Sequence, residues 1–214
     1  MQSEVLRVGG RQVRCWRGGE GPPLVLLHGD RGDASRHWSA VWERLGERYE
    51  IIAPDLPGFG ESAPLPLSNF RGLVGWLDTL LDVLGQGAVR LVGVDFGATL
   101  ARAYAASHPL RCDGLVLING GGAPTLADRI LRRTPAAARR PKLYARGPGP
   151  DGRIPTAPTL VLWSDGAWPA PAAEGLRLAA RLPGAAFRLM PGPGHLPQVE
   201  APQATAESLL AFLG

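Results

Sequence analysis

Five short runs of apolar residues constrain this chain more than any other feature: Leu24–Leu27, Ile51–Ala53, Leu91–Val94, Leu115–Ile118 and Leu160–Trp163. A strand with one wet face alternates apolar and polar residues, whereas a run apolar at every position is buried on both faces, as in a parallel sheet. Amphipathic stretches separate the runs. Trp38, Val41, Trp42 and Leu45 recur at helical spacing within 37–49, as do Leu73, Trp76, Leu77, Leu80, Leu81 and Leu84 within 70–84. Helices are also expected over 98–107, 174–182 and 201–213, with Pro202 suited to a first helical turn, and a last strand over 187–190. Val5–Val8 and Gln12–Trp16 read as an opening hairpin around Gly9-Gly10. The alternation of strand and helix predicts a three-layer α/β fold around a mostly parallel sheet. Ligands then belong at the carboxyl ends of the strands.

The 214 residues, 45% hydrophobic and 20% charged, suit one soluble domain with a sizeable core. The formal charge of +4 raises the question of nucleic acid, but Lys142 is the only lysine and the arginines are scattered. Their one cluster, Arg129, Arg132, Arg133, Arg139, Arg140 and Lys142, has a single aromatic neighbour, Tyr144, and so lacks faces on which bases stack. A solvated basic lid is the better reading, and no nucleic-acid partner is expected. Cys15 and Cys112 are too few for a disulfide framework or a metal site and are expected as buried thiols. Met1–Glu4 has no basic start followed by an apolar stretch, and no apolar run approaches ~20 residues. A cytoplasmic protein without a membrane partner is therefore expected.

One segment breaks the rhythm. Residues 120–158 open on Gly120-Gly121-Gly122 and are rich in Pro, Ala and Arg. A connection of that length inside a compact domain reads as a lid, with one short helix expected over 126–133. The chain thus divides into a core, 1–119 with 159–214, and a short lid insertion, 120–158.

The chemistry starts at Gly93-Val94-Asp95-Phe96-Gly97, between an apolar strand and a helix. Glycines on both sides permit a strained turn that presses closely on the helix and presents the central side chain to a cavity. That arrangement is the setting of the Gly-x-Ser-x-Gly nucleophile elbow, with aspartate in place of serine.

Several motifs in one order then resemble the α/β-hydrolase superfamily over essentially the whole chain. His28-Gly29-Asp30 follows the first buried strand, where that family places its oxyanion-hole turn. Asp55-Leu56-Pro57-Gly58-Phe59-Gly60-Glu61-Ser62 is similar to its Asp-x-x-Gly-x-Gly-x-Ser loop. Gly93–Gly97 is the elbow, and Leu115–Asn119 resembles the strand before the cap insertion. Gly194-His195 with Glu200-Ala201-Pro202 resembles the catalytic-histidine loop and the start of the last helix. The resemblance implies an α/β-hydrolase fold with Asp95 and His195 as catalytic residues and an oxyanion hole from the backbone N–H groups of Phe96 and Asp30.

The aspartate resembles the Asp-nucleophile branch of epoxide hydrolases and haloalkane dehalogenases. A carboxylate is ionised at neutral pH and can attack a saturated carbon to form an alkyl ester, which water activated by His195 then hydrolyses. Attack on an ordinary ester would give a mixed anhydride, which argues against a plain esterase or lipase. Dehalogenases of this type usually have tryptophan after the nucleophile and often asparagine in the oxyanion turn. Phe96 and Asp30 stand there instead, and a carboxylate repels a departing halide. Epoxide hydrolases typically use two lid tyrosines, whereas this lid has only Tyr144, with Tyr49 and Tyr104 on body elements. An epoxide hydrolase with a reduced lid, acting on a medium to bulky organic molecule, is the favoured expectation.

The acid that orients His195 is assigned to Asp165, because Ala167 stands near the usual position; Asn119 lies where some relatives carry an alternative acid. Asp30, if turned inward, would share the site with Asp95. Two neighbouring carboxylates cannot both ionise cheaply, so Asp30, like Tyr144, is a candidate proton donor. From this follows an alternative of another class: a non-hydrolytic cyclase or isomerase using Asp95, Asp30 and His195. A third reading is a catalytically silent binding protein. His28, Gly29, Trp38, Phe59, Asn119, Trp163 and Trp168 are candidate pocket residues, with core or rim packing as the default. His28 and Asp55 are expected to brace their loops, Asp33 to cap the following helix, and His37 and His108 to be ordinary helix residues. No metal or organic cofactor is implied; the partner is a small-molecule substrate, and a homodimer is compatible with the sequence. The Arg, Ala, Gly and Pro content agrees with a GC-rich genome, where specialised metabolism is a natural setting.

Overall fold

The computed structural model describes residues 1–65, 70–122, 153–168 and 170–214. The eight strands are β1 (Gln2–Val8), β2 (Arg11–Gly18), β3 (Pro23–Leu27), β4 (Glu50–Pro54), β5 (Val89–Val94), β6 (Cys112–Ile118), β7 (Thr159–Ser164) and β8 (Ala186–Met190). They form one sheet in the order β1-β2-β4-β3-β5-β6-β7-β8. β2 pairs antiparallel with β1 and β4, and every pair from β4 to β8 is parallel.

The uninterrupted apolar runs have the expected cause. Along β3, Leu24 and Leu26 enter one core while Val25 and Leu27 enter the other; β6 repeats the pattern with Val116 and Ile118 against Leu115 and Leu117. Successive side chains of a strand point to opposite faces, so a sheet covered twice needs apolar residues at every position. One layer holds α3 (Phe70–Val83), α4 (Phe96–Ser107) and α5 (Ala172–Ala180); the other includes α1 (Ala34–Trp38), α2 (Trp42–Gly46) and α7 (Pro202–Leu213). A one-turn helix, α6 (Pro197–Glu200), precedes α7.

The single helix expected over 37–49 is a correction. The chain forms α1 and α2 with a tight turn between them, closed by the Val41 N–H donating to the Trp38 carbonyl at 3.0 Å. Trp38, Val41, Trp42 and Leu45 are nevertheless all buried, because both short helices keep the same face on the sheet. The hairpin, the remaining strands and the other helices outside the lid stand where the periodicity predicts, within a few residues. Cys15 and Cys112 are buried free thiols, and burial pushes both up to about 12. The helix expected over 126–133, the basic cluster and Tyr144 lie outside the described residues. Among the described residues no helix is long and apolar enough to cross a membrane.

β3 lies between β4 and β5, and the chain passes from β3 to β4 on one side before returning to β5 on the other. The loops after β3 and β5 therefore diverge at a topological switch point, where open α/β sheets bind ligands. His28-Gly29-Asp30 leaves one strand there and Asp95 leaves the other.

Candidate active site

Asp95 joins β5 to α4 with φ 52 and ψ −113. A non-glycine residue in such a conformation costs about 1–3 kcal/mol and persists only where its surroundings impose it. Here they do so through three glycines. A Cβ on Gly93 would lie 2.3 Å from the Gly97 carbonyl oxygen, and one on Gly97 would lie 2.1 Å from that of Leu27. A Cβ on Gly120 would approach the Asp95 carbonyl oxygen to 2.3 Å. The elbow is thus wedged between helix, neighbouring strand and the turn after β6. The Asp95 side chain makes no capping hydrogen bond to α4; it turns toward Gly29, whose Cβ position would lie 3.3 Å from Oδ2. The α4 N-terminus behind it favours negative charge at the elbow.

The turn after β3 is braced from within. His28 is fully buried; its Nδ1–H donates to the Gly29 carbonyl at 2.6 Å, and Nε2 accepts the Leu56 N–H at 2.8 Å. Burial pushes its ionisation down to about 3, so the ring is neutral and its role is to tie this turn to the loop after β4. Asp55 does the same from the other side, accepting the Ala34 N–H at 2.9 Å and the Glu61 N–H at 3.1 Å. Burial raises its carboxyl above the ordinary value, against the lowering effect of those two amides. Asp33 caps α1 through Oδ1 and the Arg36 N–H, 2.8 Å. Phe59 packs edge-on against His28.

His37, read from sequence as an ordinary helix residue, is closer to the site than expected. It is 1% exposed, and its Cε1 lies 3.1 Å from the Gly29 Cβ position that also abuts Asp95. Its Nε2–H donates to the Arg31 carbonyl at 2.8 Å, and Nδ1 faces the buried Gln198 amide of α6 at 3.3 Å. Burial lowers its ionisation.

His195 sits half-buried on the loop after β8, and that loop is gripped along its backbone. The Gly194 and Leu196 N–H groups donate to the two oxygens of Glu200, at 2.7 and 3.0 Å. Ser164 donates its hydroxyl to the Gly194 carbonyl, and Asn119 Nδ2 donates to the His195 carbonyl at 2.8 Å. Asp165 is exposed, with Oδ1 accepting the Gly192 N–H at 2.9 Å. Its contact is therefore with the base of the His195 loop.

The candidate pocket residues divide. Trp38 and Trp163 are core residues: Trp38 packs among Leu24, Leu26 and Leu45, and Trp163 faces α5 with its Nε1–H on the Ala170 carbonyl, 3.0 Å. Trp168 is 63% exposed. Gly29 abuts the Asp95 side chain, its Cβ position lying 3.2 Å from the Asp95 Cβ. Sequence reasoning missed Ser164, His37 and Gln198, and it read Glu200 only as the start of a helix.

Comparison with known proteins agrees with this fold. The profile of the α/β hydrolase fold family matches residues 22–142. An uncharacterised protein of Mycobacterium tuberculosis is 36% identical over 115 residues, which cover 53% of this chain and 33% of that protein. A 2-hydroxy-6-oxononadienedioate/2-hydroxy-6-oxononatrienedioate hydrolase of Comamonas testosteroni is 34% identical over 110 residues, 49% of this chain and 38% of that enzyme. The match thus spans only about a third of the length of these curated relatives. The crystal structure of a membrane phospholipase A superposes with a TM-score of 0.82 at 26% identity, covering 99% of this chain and 85% of the other. Sheet order, elbow and family profile lead to one conclusion: this chain belongs to the α/β-hydrolase fold family.

Proposed function

We propose that this chain is a hydrolase whose nucleophile is the Asp95 carboxylate, with epoxides of medium to bulky organic molecules as substrates. The observation that carries the reading is the Asp95 side chain at a positive-φ elbow, turned toward Gly29 with no capping bond to its own helix. The hydrolase relative in Comamonas testosteroni supports the general class.

In the first step an Asp95 oxygen forms a bond to an epoxide carbon as the ring C–O bond breaks, and the ring oxygen takes a proton from Asp30 or Tyr144. In the second, His195 removes a proton from water as that water adds to Cγ of Asp95. The Phe96 and Asp30 N–H groups hold the resulting oxyanion. Its collapse expels the diol oxygen, which takes the proton held by His195, and the carboxylic acid left at Asp95 gives its proton back to the donor of the first step, restoring the carboxylate. Asp165 acts through the loop that carries His195.

The test is to trap the ester. His195→Ala incubated with styrene oxide as probe is expected to gain the mass of one substrate molecule, localised by peptide mapping to the segment containing Asp95. Absence of any adduct on that variant, or an adduct elsewhere, overturns the reading.

A further inference from the structure

We infer that Asn119, acting with Ser164, is the positioning residue that fixes His195 against the Asp95 elbow; the inference rests on the roles proposed above for those two residues. Asn119 follows β6, is 2% exposed and has φ 44, a left-handed conformation that asparagine adopts more readily than most residues. Its amide reaches across the end of β7. Oδ1 accepts the Ser164 N–H at 2.9 Å, while Nδ2 donates both to the Ser164 hydroxyl and to the His195 carbonyl. The Ser164 hydroxyl in turn donates to the Gly194 carbonyl. The carbonyls of His195 and of the residue before it are both held by one buried pair.

The following residue touches the other partner. Gly120 packs so closely on the Asp95 backbone that no side chain fits between them. Residues 119 and 120 therefore span the site, the backbone of one on the elbow and the side chain of the other on the histidine loop. The amide is required: a carboxylate at 119 would set an oxygen against the His195 carbonyl, where two acceptors repel. Asp95 itself is set by the glycine wedge and does not depend on the Asn119 side chain. Loosening the clamp should therefore spare formation of the alkyl ester and slow its hydrolysis, because only the second step needs His195 in place.

The experiment is a rapid-quench single turnover of styrene oxide, read by intact mass, for the parent, Ser164→Ala and Asn119→Asp. Ser164→Ala removes one hydroxyl without adding charge, so it decides the matter if Asn119→Asp fails to fold. Ester formation is expected within about 3-fold of the parent and ester hydrolysis slower by about 100-fold, as for a misplacement of about 1 Å. Equal slowing of both steps, or parental ester hydrolysis in Ser164→Ala, overturns the inference. If even His195→Ala gathers no ester, the covalent reading has failed, and the clamp is then judged by a crystal structure of Ser164→Ala. A displaced His195 beside an unmoved elbow supports it; an unmoved His195 overturns it.

Discussion

The elbow that carries Asp95 is shaped by steric exclusion, whereas the loop that carries His195 is shaped by hydrogen bonds from side chains. At the elbow, Gly93, Gly97 and Gly120 let backbone segments approach to distances that no Cβ would tolerate. At the histidine loop, Asn119, Ser164, Asp165 and Glu200 each take one or two backbone groups between Gly192 and Leu196. The first kind of restraint is stiff and tied to stability, since a packed interior barely yields. The second can be loosened one bond at a time, each worth about 1 kcal/mol. One half of the site is thus built rigid, and the other is tunable.

Asp95→Ala should lower turnover by about 10⁴-fold or more while leaving the far-UV circular dichroism and urea midpoint close to the parent. A large loss of stability would mean that the carboxylate holds the elbow together. Next in size is the acid response of the turn beside it. His28 ionises near 3 in the folded chain, below its ordinary value of 6.5. The stability owed to its neutral form is complete above 6.5 and is lost as pH falls toward 3, on the order of a few kcal/mol. Urea midpoints between pH 7 and pH 4 should therefore fall less steeply in His28→Asn than in the parent, and equal slopes would contradict the assignment.

Gly97→Ala should destabilise the fold by about 3 kcal/mol, read from the urea midpoint, because its Cβ would meet the Leu27 carbonyl. Glu200→Gln should cost only about 1 kcal/mol yet lower kcat, since one amide oxygen cannot replace two carboxylate oxygens on the Gly194 and Leu196 N–H groups. If Gly97→Ala spares stability or Glu200→Gln spares turnover, the contrast between the two halves does not hold.

The same contrast explains what was legible in the sequence. Leu24–Leu27 and Leu115–Ile118 announce strands buried on both faces because every residue in them reports its own burial. Glycines at 93 and 97 announce a close approach because each records a local steric demand. Asp33 caps an amide three residues away, so its role too is local. The break between α1 and α2 left no mark, since Trp38, Val41, Trp42 and Leu45 keep one apolar face across it. Trp163 could not be assigned to core or pocket until its face of β7 was known. The clamp was invisible for a different reason: Ser164 meets Gly194 across 30 residues, Asn119 meets His195 across 76, and Gln198 meets His37 across 161. Polar pairs that distant leave no periodicity: the resemblance marked the place of Asn119, but nothing in the sequence tied it to Ser164 or to the His195 carbonyl.

The most direct test of the central claim is a single turnover of styrene oxide by the parent protein in heavy-oxygen water. If Asp95 is the nucleophile, the first diol released carries an ordinary oxygen from the enzyme, and the peptide containing Asp95 gains one heavy oxygen. A first-turnover diol that already holds the heavy oxygen, with the Asp95 peptide unchanged in mass, would contradict the account.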